Sequence, residues 1–281
     1  MSFSRITIIA LSFTLAPLMA MAQSPAVDAP APAVAASGKP LTREEIPALV
    51  KETLMNEPEI IMEAAKKLRE KQEVEVKKKA SEGLQKYKND LFGNTDIPST
   101  GAKDADVTVV EFFDYHCGYC KHMLPTVTKA LENDKKIRFH FVEFPILSDD
   151  SVLAARAALA VNRIAKDKYF DFHQALMKAS GKFDEKMLMD TAKKLGIDSG
   201  KMKAEMDKPD ITATLDKNRE IAAALNITGT PAIILGDEIQ PGAVEYEMFA
   251  KMVEAVRAGK KPSDAIKAIE DAAKAPADAK N

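Results

Sequence analysis

Cysteine is nearly absent from this chain. Among 281 residues there are two, Cys117 and Cys120. A framework of structural disulfides is therefore excluded, and the two act with each other or with a partner. There is no excess of charge of either sign: 40 Lys and Arg stand against 42 Asp and Glu. That balance leaves no basic footprint for nucleic acid and no acidic tail, so no nucleic-acid partner is expected. Glycine and proline are too few and too scattered for a collagen-like chain. Long apolar runs are missing beyond the first two dozen residues. What remains is enough chain for one or two domains with a core that needs no disulfide staples.

The one apolar run carries its own signature. Arg5 supplies a positive start, Ile6 to Met19 is largely apolar, and Ala20-Met21-Ala22 is a small-x-small cleavage pattern. The run is short for a membrane span, which needs about 20 apolar residues. Residues 1–22 are thus expected to be a signal peptide cleaved after Ala22, and the protein to be exported to the periplasm. Disulfides form and persist in such a compartment, which gives a lone cysteine pair more meaning than it has in the cytosol.

Residues 23–40 are rich in Ala and Pro, cannot bury a core, and read as a linker. Thr42 and Glu45 have the spacing of a capping box, and Ile46, Leu49, Val50 and Leu54 follow at helical intervals. Asn56 and Pro58 punctuate that helix. A second, longer one follows as far as about Leu91, with Ile61, Ala65 and Leu68 on one stripe and a dense Lys/Glu run behind it. Residues 41–92 are either a solvated stalk or an oligomerisation segment. The second is preferred, because a narrow apolar stripe without a core of its own needs a partner surface. A homodimer is expected.

The pattern changes near residue 93. Strands are expected over Val107–Phe113, Ile137–Phe144 and Ala232–Leu235, the last turning at Gly236-Asp237 into a possible fourth. Helices are expected from Cys117 and over Val244–Ala258. A largely helical stretch fills about 150–225, broken at Gly181, Gly196 and Pro209. The fold class is α/β with one central sheet. Residues 93–260 form the domain and 261–281 a marginal helix and tail.

Cys117-Gly118-Tyr119-Cys120 follows a strand and opens a helix. Two cysteines three apart on a first helical turn can reach disulfide geometry. The first sits among unsatisfied N–H groups at the positive end of the helix dipole, which lowers a thiol pKa. The thiolate attacks a disulfide, and the second cysteine, one turn inward, releases the product. Zinc is the competing use of such a pair. His116 and His122 lie close by, but no second pair completes the usual four ligands, so no metal and no cofactor are expected. His140 falls in an expected strand and His173 on an apolar helical stripe, and both are expected to be structural.

The stretch Glu111-Phe112-Phe113-Asp114-Tyr115-His116-Cys117-Gly118-Tyr119-Cys120-Lys121 resembles the active-site region of the DsbA family of thioredoxin-fold oxidoreductases. Phe144-Pro145-Ile146-Leu147, Tyr169-Phe170-Asp171-Phe172-His173 and Ile227-Thr228-Gly229-Thr230-Pro231-Ala232 resemble its later landmarks, in order, over residues 93 to 258. The resemblance implies a thioredoxin fold with an inserted helical domain and a cis peptide before Pro231. It implies Cys117 as nucleophile and Cys120 as resolving cysteine. Gly118 and Tyr119 would tune the redox potential, and Glu111 would be a buried acid that serves Cys120. Thr230 and Pro231 would form a substrate-binding loop facing the pair. Tyr119 stands where strongly oxidising members carry His, and Thr230 where they carry Val. Gly-Tyr and Thr-Pro are similar instead to dimeric isomerases of the DsbC type. The resemblance thus implies a disulfide isomerase or reductase acting on unfolded or misfolded exported proteins, with a membrane thiol reductase or oxidase as redox partner. A dithiol oxidase is the alternative within the class, and a holdase-like binding protein the alternative outside it.

Overall fold

A computed structural model describes residues 42–274. The expected signal peptide, the linker at 23–40 and the last residues of the tail lie outside the described residues. The chain divides into two compact units, one ending at Ile61 and the other starting at Met62.

In the first unit, helix α1 (Ile46–Asn56) has no buried residue. The Glu45 carboxylate accepts the Thr42 N–H at 2.8 Å, one arm of the capping box. Ile46, Leu49 and Val50 stay about half exposed. Helix α2 (Glu59–Lys86) starts just after Pro58.

The second unit is built on five strands: β1 (Ser99–Gly101), β2 (Val107–Phe113), β3 (Ile137–Glu143), β4 (Ala232–Leu235) and β5 (Glu238–Pro241). Their order is β1-β3-β2-β4-β5. β2 and β3 are parallel, and every other pair is antiparallel. Such a strand pair needs a crossover, supplied here by α3 (Gly118–Asn133). This is the expected thioredoxin-type α/β sheet. The insertion between β3 and β4 holds α4 (Asp149–Ile164), α5 (Tyr169–Lys178), α6 (Glu185–Lys194), α7 (Ser199–Met206) and α8 (Pro209–Ala224). Ser148, Asp184 and Asp198 cap three of these helices by accepting backbone N–H groups. Gly196, at φ +71°, takes a conformation that other residues resist, just after α6. α9 (Tyr246–Arg257) and α10 (Pro262–Lys274) close the unit, so the expected marginal helix after residue 261 is formed.

β2 is apolar along nearly its whole length because both of its faces are covered. Val109 and Phe113, with Phe139, Phe141, Ile233 and Leu235, pack with Met123, Val127, Phe172 and Phe249. Val110 and Phe112 pack with Val142, Ile221, Leu225 and Ile234, and also with Leu84, Tyr87 and Leu91. That last contact corrects the expected boundary. The segment drawn as 41–92 does not end as a separate piece, because its final turns complete the core of the domain drawn from residue 93. Leu84, Tyr87 and Leu91 recur three and four apart and cover one face of the sheet. Gly83 allows the approach, since a Cβ there would collide with the Ala224 carbonyl oxygen. Tyr87 also donates its hydroxyl to Glu220 at 2.5 Å.

Candidate active site

Three loops meet at one end of the sheet. β2 and β3 run in parallel and end opposite each other at Phe113 and Glu143. β4, antiparallel to β2, begins at that same end with Ala232 opposite Phe112. The segments Asp114–Cys117, Phe144–Ser148 and Thr230–Pro231 therefore share one rim, the usual ligand position in an α/β sheet.

Cys117 is the N-cap of α3, and Cys120 lies in its first turn. Cys117 keeps 7% of its surface and Cys120 1%. Cys117 is thus more accessible than Cys120 yet still largely enclosed. The Thr230–Pro231 peptide is cis. The Thr230 carbonyl oxygen lies 3.2 Å from Cys117 Sγ and accepts from the thiol. Hydrogen bonding from Cys120 above all holds the Cys117 pKa down at about 5. Burial opposes this, while the Thr230 side chain and the N–H groups of Cys120 and Tyr119 assist. Cys120 moves the other way: burial first, then its bond to Cys117 and the nearby Glu111, push its pKa up. Glu111 is buried in β2, and burial, followed by the charge of Cys117, raises its carboxyl to about 8. Tyr119 is largely exposed, and a side chain at Gly118 would meet open space. Neither residue of the dipeptide is there to fill the core.

This geometry has a direct readout. Alkylation of the reduced protein should be half-maximal near pH 5 and fall on Cys117. Peptide mapping that finds Cys120 labelled first would reverse the two roles.

The four histidines take separate positions. His116 points its Nε2 at Asp150 at 3.9 Å, and His122 its Nε2 at Glu245 at 3.3 Å. His140 is buried with Nδ1 2.8 Å from the Leu91 carbonyl oxygen. His173 is enclosed by Phe113 and Phe141, and burial lowers its pKa to about 3, so it is neutral. The last two are structural, as their apolar settings suggest.

Sequence reasoning passed over two polar clusters. In one, buried Glu143 accepts from the hydroxyls of Tyr115 at 3.1 Å and Tyr169 at 3.3 Å, with His173 Nδ1 3.3 Å from Tyr115. Burial pushes the Glu143 carboxyl up strongly. The other is centred on Asp114. The only signal for either was a polar residue at the end of an apolar strand.

A buried dithiol at a helix N-terminus, facing a cis-proline on a thioredoxin sheet, defines a thiol–disulfide oxidoreductase. Residues 108–254 match the family described as the DSBA-like thioredoxin domain. The chain belongs to that family. Residues 43–75 match a second description, the N-terminal domain of copper resistance protein ScsC. Disulfide bond formation protein D of Bacillus subtilis is 29% identical over 173 residues, which is 58% of this chain and 78% of that one. A thioredoxin-like oxidoreductase from Silicibacter pomeroyi is 37% identical, with a TM-score of 0.57, covering 60% of this chain and 96% of that one. ScsC of Proteus mirabilis, in a transitional conformation, is 31% identical with a TM-score of 0.57, over 75% of this chain and 94% of that one.

Proposed function

We propose that this chain is an exported protein disulfide isomerase and reductase, working as a homo-oligomer on unfolded or misfolded proteins. The observation that carries this reading is Thr230 before Pro231, with its carbonyl oxygen 3.2 Å from Cys117 Sγ. Stabilising the thiolate favours the dithiol state, which starts an isomerisation cycle and is returned at its end. Thr230 and the exposed Tyr119 occupy the two positions where the chain is similar to DsbC-type isomerases. The loop at Thr230 offers its backbone to an extended substrate strand. Export rests on the targeting pattern of residues 1–22. Among the described residues, no helix is long and apolar enough to cross a membrane. A membrane thiol reductase would then return the pair to its dithiol form.

The exposed apolar residues support the oligomer. Ile46, Leu49 and Val50 in α1, and Met62, Leu68 and Val74 in α2, are about half exposed or more. Apolar rows of this kind mark interaction surfaces. Two or more dithiols joined around one substrate raise the local thiolate concentration. The same Cys117 thiolate favours a second reading, a dithiol oxidase, because stabilising the reduced form makes the disulfide form a strong oxidant.

Light scattering and reactivation of scrambled ribonuclease decide between them. The mature chain should be oligomeric and reactivate the enzyme. Leu49→Glu combined with Leu68→Glu should give monomers that still reduce disulfides but lose most isomerisation. A monomeric mature chain at micromolar concentration, or full isomerisation by the variant, overturns the proposal.

A further inference from the structure

Asp114 is 1% exposed, yet its carboxylate is fully engaged. Oδ1 accepts the His116 N–H and the Ser151 hydroxyl, each at 2.7 Å. Oδ2 accepts the N–H groups of Ile146 at 2.9 Å and Leu147 at 3.0 Å. These four donors come from three places: the loop before Cys117, the loop after β3, and the first turn of α4. Ser151 is itself buried, and its N–H donates to Ser148 Oγ at 3.1 Å. Two successive backbone N–H groups on one oxygen fix the direction of the chain at Ile146 and Leu147 more firmly than packing of a surface loop can.

The side chains held there are unusual for this unit. Among the described residues beyond α2, the large apolar side chains left exposed are Tyr119, Ile146 and Leu147. Tyr119 lies between the two cysteines, and Ile146 and Leu147 sit on the loop tied to Asp114. Beyond α2 the other large apolar groups are buried or partly buried, and these three are presented at the reacting end. A polypeptide whose cystine lies beside apolar side chains fits such a rim, because docking would remove those side chains from water together with the lip.

We propose that Asp114 is a positioning residue for substrate binding, holding the Ile146–Leu147 lip to the loop that leads into Cys117 so that apolar polypeptide segments dock beside Cys117. This rests on the thiol–disulfide exchange reading and deepens it. Asp114 touches no reacting atom and acts through the lip. An amide in its place offers one acceptor oxygen to four donors, and an NH₂ that faces some of them.

The test is steady-state reduction of a cystine peptide flanked by leucines. Asp114→Asn should raise KM by about tenfold with a smaller change in kcat, the mark of lost binding rather than lost chemistry. Ile146→Ser with Leu147→Ser, at exposed positions, should raise KM to a similar extent. Adding Asp114→Asn to that pair should then change little, because residues that act through one another are not additive. Where Asp114→Asn does not fold, Ser151→Ala removes one of the four bonds and keeps the charge. It should give a smaller KM rise that also vanishes when the lip is already altered. A fall in kcat at constant KM, an unchanged KM, or effects that multiply would overturn the proposal. Failure of the underlying reading looks different: Cys117→Ala would then leave turnover intact in the unaltered lip.

Discussion

Replacing Cys117 with Ala should lower disulfide reduction by roughly a thousandfold or more, as loss of a nucleophile does in covalent catalysis. The electron bookkeeping explains why. In the proposed reaction the Cys117 thiolate attacks one sulfur of a substrate disulfide, that S–S bond breaks, and a substrate thiolate leaves. The mixed disulfide then has two fates. Cys120, once deprotonated, can attack Cys117 Sγ, forming the Cys117–Cys120 disulfide and releasing the substrate reduced. Alternatively, another substrate thiolate attacks the substrate sulfur, forms a new substrate disulfide and returns Cys117 as thiolate. Cys120→Ala removes only the first fate. That variant should accumulate covalent adducts through Cys117, lose net reduction, and keep part of its isomerisation. Non-reducing gels and ribonuclease reactivation measure the two outcomes. Adducts absent from Cys120→Ala, or formed through a residue other than Cys117, would contradict the assigned order of attack. The order follows from burial and from acidity together: Cys117 is ionised at neutral pH, while burial and neighbouring negative charge keep Cys120 protonated.

Much of this site is legible in the sequence, for reasons tied to particular residues. Val107–Phe113 and Ala232–Leu235 are β-branched and aromatic runs bounded by turn residues, and both match the observed strands residue for residue. Cys117 sits where a buried strand ends and a helix begins, so its N-cap position followed from the local pattern. The structure also bears out the buried Glu111 and the cis peptide before Pro231, both implied by the resemblance to the DsbA family. β1, only Ser99–Gly101, has no apolar period to reveal it and exists by pairing with β3. The boundary near residue 92 was misplaced because Leu84, Tyr87 and Leu91 look locally like more of the same helix. Only the sheet face they cover shows that they belong to the catalytic unit. Asp114 and Glu143 were missed for a related reason. Their partners, Ser151 and Ile146 in one case and Tyr115 and Tyr169 in the other, converge through the fold and not through sequence spacing.

Glu111→Gln should remove a pH dependence that the native protein carries in both stability and turnover. A glutamate in an unfolded chain titrates near 4.5, and burial followed by the charge of Cys117 raises the folded value to about 8. The folded state therefore binds the Glu111 proton more tightly than the unfolded state does. That contribution is fully present below about pH 4.5 and is lost as pH rises through about 8. The difference between the two values corresponds to about 5 kcal/mol at most, so a large part of the stability of a small domain is at stake. Denaturant titrations of the reduced protein should show stability falling between pH 5 and 8, and Glu111→Gln should flatten that fall. In the proposed reaction the same carboxyl, ionised in a growing fraction as pH approaches 8, takes the proton that Cys120 must lose. Removing a general base costs about 100-fold or more in a proton-transfer step, so release of substrate from the mixed disulfide should slow while the first attack by Cys117 does not. Rapid-quench separation of adduct formation from adduct decay reads both steps. If Glu111→Gln keeps the native pH slope and releases adducts at the native rate, then Glu111 is a buried carboxyl with no part in the chemistry, and Cys120 loses its proton to water.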